Sequence, residues 1–246
     1  MNKKVINIWE GTYPLIIYTF LVSFLAEIIV KYTTLEHLGT MAVQAIAKFI
    51  CIFPMLYFLN KAPRRGAKTK NKLKDIFLII VVAVCLNIAF NNIISLTPLK
   101  DWSASYSDVE TSIYSAALLW QVISAGIIAP ILEEIVFRGI LFRNYRASLG
   151  AWPAIILSAV IFGLMHYNLV QFVYAFLLGI FFAYLVEKTG ELWTCILAHI
   201  TANMFSLFAT RLGITQWMFS DVAICLIAGI VALVVAVVIL VKWKKV

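Results

Sequence analysis

Long apolar runs separated by short polar connections set the pattern of this chain. They lie at about 13–31, 38–59, 76–96, 113–142, 151–166, 169–187, 191–209 and 219–241. A membrane-spanning helix needs about 20 mostly apolar residues, so the pattern predicts eight spans. Open sheets are excluded, because in hydrocarbon every backbone N–H and C=O must be paired locally. The fifth and sixth runs are short and closely joined, which predicts tilt or partial re-entry for either. The expected fold class is all-α: a polytopic transmembrane helix bundle forming a single integral membrane domain over 1–246.

The polar connections give the bundle a direction. Lys61, Arg64, Arg65, Lys68, Lys70, Lys72 and Lys74 crowd one connection, which the positive-inside rule assigns to the cytoplasm. Lys3 and Lys4, a turn at Arg143/Arg146, and Lys242, Lys244 and Lys245 then fall on the same side. The 97–112 loop, with Asp101, Asp108 and Glu110, falls outside. Eight spans with an N-in/C-in arrangement satisfy every assignment. The basic connection also suits anionic lipid, although topology alone accounts for it.

Composition narrows the class. Hydrophobic residues make up 63% of the chain and charged residues 13%, with a mean hydropathy of +0.96, far too apolar for a soluble domain. The net charge of +8 does not imply nucleic acid, because the Lys and Arg cluster between apolar runs. Cys51, Cys85, Cys195 and Cys225 lie inside those runs without CxxC spacing and read as small buried hydrophobes. No small-residue cleavage site follows the first run, so no cleavable signal peptide is expected. No repeat at a fixed period is visible. His37, between the first two runs, reads as a solvated surface residue.

Chemistry concentrates in the second half. The fourth run reads Ala129-Pro-Ile-Leu-Glu133-Glu134-Ile-Val-Phe-Arg138-Gly139, although each ionised group at mid-bilayer costs about 2.5–3.5 kcal/mol. Glu134 and Arg138 are four apart, share a helix face and can pair. Glu133 is rotated by about 100° and has no partner on its own helix, so it must face a neighbouring helix or water. Desolvation strengthens a carboxylate as a base, which general-base chemistry near neutral pH requires. The bland alternative is a polar cluster that merely packs helices. Two later runs offer partners: Phe162-Gly-Leu-Met-His166, and His199-Ile-Thr-Ala-Asn203, where His199 and Asn203 share one face.

Glu133-Glu134-x-x-x-Arg138, Phe162-x-x-x-His166 and His199-x-x-x-Asn203, in that order, resemble the CPBP (CAAX protease and bacteriocin-processing, or Abi) family of intramembrane endopeptidases. The resemblance covers a catalytic core of about 113–209. It implies a glutamic peptidase with no obligatory metal. Glu133 and His166 would position and deprotonate the attacking water. His199 and Asn203 would donate to the developing oxyanion, and Glu134 and Arg138 would brace the first motif. Water must reach such a site, so a polar cavity is expected, opening toward the cytoplasm. His166, near the outer end of a short span, joins it only if that span tilts. The implied substrates are membrane-associated peptides or protein precursors, with bacteriocin maturation, self-immunity or signal-peptide processing as the setting. The size suits a bacterial plasma membrane.

Three rivals stand beside that reading. Two His with one or two Glu could hold zinc, but HExxH is absent and adjacent glutamates on a straight helix cannot both aim at one ion. A non-enzymatic bacteriocin-immunity protein would bind a peptide or membrane target instead. A channel or transporter would use Glu27, Lys48, Asn87, Asn91 and Asn92 as polar positions in the first three runs. Against that, Lys48 reads as a snorkelling side chain. The asparagines also suit a role in wetting a catalytic cavity.

Overall fold

A computed structural model describes residues 3–35, 39–66, 72–103 and 105–243. The expectations for His37, Lys68, Lys70, Lys244 and Lys245 lie outside these residues. The chain folds into helices, without strands among the described residues. They are α1 (Lys3–Tyr32), α2 (Thr40–Lys61), α3 (Lys72–Ser95), α4 (Tyr106–Tyr114), α5 (Leu118–Leu149), α6 (Ala151–Leu164), α7 (Leu169–Thr189), α8 (Leu192–Arg211), α9 (Ile214–Met218) and α10 (Val222–Lys242). The protein is a polytopic helical bundle. Among the described residues, α1, α2, α3, α7, α8 and α10 are long and apolar enough to cross a membrane. A seventh crossing is added if α4 and α5, bent by 113° at their break, count as one span.

The difference from eight predicted spans sits in the fourth run, which belongs to the bent α4–α5 pair, and in the fifth. The fifth run folds as the 14-residue α6, about 21 Å long at 1.5 Å per residue, short of a hydrocarbon core of about 30 Å. The expected turn at Arg143/Arg146 is instead helical from Arg143 to Leu149. No helix breaker occurs there before Gly150, whose φ of +88° stops the helix. Polar side chains leaving the bilayer do not by themselves end a helix.

The chain divides into two compact units, Met1–Arg65 with Asp108–Ser158, and Gly66–Ser107 with Ala159–Val246. In the first, α1 and α2 pack through Ile29, Val43 and Ala47, with Leu25, Ala26 and Ile46 against them. Thr12 bonds Tyr145 across α1 and α5 at 2.9 Å, where a Cβ on Gly11 would lie only 3.1 Å from Asn144. The bend before α5 is held by Gln121, whose amide donates to the carbonyls of Ala116 (2.6 Å) and Tyr114 (3.2 Å).

Helix α5 changes register along its length. Gln121–Ile128 and Ile135–Phe142 are π-helical, and the α-helical turn Ala129–Glu134 lies between them. Pro130 accounts for the first segment. With no N–H, it would leave the Gly126 carbonyl without an α-helical donor, and a π register offers that carbonyl Ile131 instead.

In the second unit, α3 is the hub. Asn92 on α3 donates to the carbonyl of Cys225 on α10 at 2.9 Å, with Gly229 keeping the helices close. Asp75, buried in the first turn of α3, accepts from the Trp243 indole at 2.9 Å. Lys188 donates to the Trp243 carbonyl and lies over its ring. Asp221 caps α10 through the amides of Ala223 and Ile224. Cys51, Cys195 and Cys225 are buried and Cys85 is half-buried, all four as free thiols.

Candidate active site

The motif residues of the first unit sit on α5. Glu133 and Glu134 end the α-helical turn, and Arg138 lies in the π segment after it. Arg138 Nη1 donates to Glu134 Oε1 at 2.9 Å, and both side chains are fully buried. The pair inferred from their spacing therefore forms, sealed from solvent. Glu133 faces elsewhere. Its Oε1 lies 3.5 Å from Lys48 Nζ on α2, with side-chain exposures of 15% and 21%.

Lys48 bears on two expectations. Glu133 faces a neighbouring helix, as its rotation away from Arg138 implied, and Lys48 turns to that carboxylate rather than snorkelling to an interface. Opposite charges placed together lower the cost that either would carry in hydrocarbon. The sequence separation of 85 residues hid the contact. The available signal was the charge itself, in the middle of an apolar run.

The second unit holds His166, His199 and Asn203. The last α-helical hydrogen bonds of α6 give way to a tight turn, in which Tyr167 adopts a left-handed φ of +58°. That conformation costs a non-glycine residue about 1–2 kcal/mol, and His166 just before it points back along its own helix. His166 Nδ1 lies 2.9 Å from the Phe162 carbonyl. A carbonyl only accepts, so Nδ1 carries the proton and Nε2 is the nitrogen able to take one. Asn168 fixes the turn from the other side. It accepts from the Gln171 amide at 2.8 Å and donates to the His166 carbonyl at 3.3 Å. A Cβ on Gly163 would come within 2.9 Å of the Phe172 carbonyl, so α6 and α7 meet here with no room for a side chain.

Aromatic rings position the imidazoles. Phe162 stands edge-on to His166, with centroids 5.0 Å apart, and to His199 at 5.8 Å. Phe182 from α7 stacks on His199 at 4.8 Å and 24°. His199, Phe162 and Phe182 are buried, while His166 and Asn203 are half-buried. Asn203 follows His199 by one turn of α8, on the same side. Behind this turn, Asn87 on α3 donates to the Ala202 carbonyl at 2.9 Å, with Ser206 and Tyr174 hydroxyls at 2.8 and 2.6 Å. Asn87 and Asn92 thus act on neighbouring helices, and Asn91 bonds back to Asn87. Sequence reading missed Phe182, because a phenylalanine in an apolar run carries no signal of its neighbour.

The structure therefore joins Glu134 to Arg138 and Glu133 to Lys48 in one unit, and gathers His166, Phe162 and His199 in the other. Within neither unit, among the described residues, do three or more His, Cys, Asp or Glu side chains gather as metal ligands would.

These features define a multi-pass helical membrane protein with ionisable side chains set into its apolar helices. Residues 115–205 match the model of the type II CAAX prenyl endopeptidase Rce1-like family, and that segment contains all three motifs. The family resemblance read from the motifs thus holds over this part of the chain. A Bacillus subtilis (strain 168) protein named "Putative membrane peptidase YdiL" is 37% identical over 84 residues, 34% of each chain. UPF0177 protein YajF of Lactococcus lactis subsp. lactis (strain IL1403) is 25% identical over 176 residues, 65% of this chain and 84% of that one. The match spans about a third of the first relative's length. No solved structure gives a significant match.

Proposed function

We propose that the protein is an intramembrane endopeptidase of glutamic type, acting on membrane-associated peptides or protein precursors. The observation that supports this reading is that the family-matched stretch of sequence, 115–205, contains Glu133, Glu134, Arg138, His166, His199 and Asn203 in that order. Glu133 and His166 take the proton of the attacking water, with Nε2 as the basic nitrogen of His166. His199 and Asn203 donate to the tetrahedral oxygen, and Glu134 and Arg138 hold the first motif rigid. In a low-dielectric site an oxyanion donor contributes about 10²–10³ in turnover. No resident metal enters this scheme.

The substrates are peptides presented by the bilayer, whether lipidated or amphipathic. Bacteriocin maturation, self-immunity or signal-peptide processing in a bacterial plasma membrane is the proposed setting. The test uses purified protein in proteoliposomes with three quenched peptides: a farnesylated CaaX peptide, its unprenylated counterpart, and an amphipathic helical peptide. Cleavage of at least one by wild type, lost in Glu133→Ala and His166→Ala and retained under exhaustive chelation, is the expected result. Inactivity on all three, or equal cleavage by the variants, overturns the reading.

A further inference from the structure

Lys48 belongs to no motif, yet it reaches one. It is the one charged residue of the sequence between Thr40 and Asn60, and it lies in the middle of a helix with the length and hydropathy of a span. Its own helix makes room for it. Ala45 and Cys51, three residues to either side, are buried and small, so the Lys48 stem can lie along that stripe. Phe49 and Ile50 turn outward. At the end of the stem the ammonium meets Glu133 Oε1 at 3.5 Å, and both side chains keep some exposure.

The neighbouring pair supplies a control. Glu134 and Arg138 are closed off completely and bound at 2.9 Å within one helix, the form a purely structural pair takes. The Lys48–Glu133 pair is longer, links two helices and stays accessible. A pair that is only partly buried suits a carboxylate that must be held in place and still be reached.

We propose that Lys48 is a positioning residue for Glu133: its ammonium, 3.5 Å from Oε1, fixes the orientation in which the carboxylate meets the attacking water. The role rests on the peptidase reading given above. It concerns kcat rather than substrate binding, since Lys48 acts through Glu133.

The test has two arms, both on the full chain in proteoliposomes. In the first, whichever quenched peptide the wild type cleaves is used to separate kcat from KM. Lys48→Met lowers kcat by about 10²-fold, the cost of misplacing a catalytic group by about 1 Å, with KM within about twofold, and Lys48→Arg recovers most of the loss. In the second, the Tm shifts of Lys48→Met, Glu133→Gln and the double variant are non-additive, as expected for groups in contact. If Lys48→Met fails to assemble, Lys48→Gln, which keeps a polar stem, takes its place in both arms. Wild-type kcat in Lys48→Met, a loss that arginine does not restore, or a loss carried by KM overturns the positioning role. Additive Tm shifts overturn the pair. Failure of wild type to cleave any peptide overturns the peptidase reading and the positioning role with it, while the Tm arm still decides whether the pair exists.

Discussion

In the first unit Glu134 faces Arg138 and Glu133 faces Lys48, so charge is held by opposite charge. In the second unit His166 and His199 are held by a backbone carbonyl and the rings of Phe162 and Phe182. The contrast follows from the side chains. A carboxylate in hydrocarbon needs a counter-ion or donors, whereas a neutral imidazole has an aromatic face that packs among rings and two nitrogens that each want a single bond. The carboxylate half should therefore fail abruptly when one partner is removed, and the imidazole half should loosen by degrees.

The largest effects should fall on turnover. Glu133→Gln keeps the shape and removes the proposed base, and should lower kcat by about 10²–10⁴-fold, measured on a peptide that wild type cleaves. Next comes the sealed pair. Arg138→Leu alone strands a buried carboxylate and should cost about 3–5 kcal/mol, whereas Glu134→Leu with Arg138→Leu should cost far less. Comparing the unfolding midpoints of single and double variants checks this, and equal losses would erase the contrast between the units. Asn87→Leu removes the donor behind Ala202 and should cost about 1–3 kcal/mol, with kcat reduced modestly through α8. Full activity with full stability in that variant would show that the bond does not brace His199 and Asn203. The smallest expected effect is none: activity should survive exhaustive chelation, and a chelator-sensitive enzyme restored by zinc would redraw both halves around an ion.

Much of this was legible in the sequence because it was local. Eight apolar runs marked the helices, and a spacing of four joined Glu134 to Arg138 and put His199 beside Asn203. The contacts that were not legible join distant segments or break a helical rule. Lys48 and Glu133 are 85 residues apart, and periodicity within a run says nothing about which helix lies alongside. Phe182 is one of 17 phenylalanines, so its stacking on His199 could not be singled out. The π segments of α5 shift its register where a 100° wheel assumes none, and Pro130 was the sole local hint. The run at 151–166 is legibly short, and its helix is shorter still, because the chain leaves the helical register at Met165 and His166.

The Trp243 clasp bears on how this protein should be handled. A C-terminal deletion ending before Trp243 would strip buried Asp75 of its indole donor and Lys188 of its carbonyl acceptor, some distance in sequence from any motif residue. Lost activity in such a shortened chain would then report a loosened second unit and not damaged chemistry.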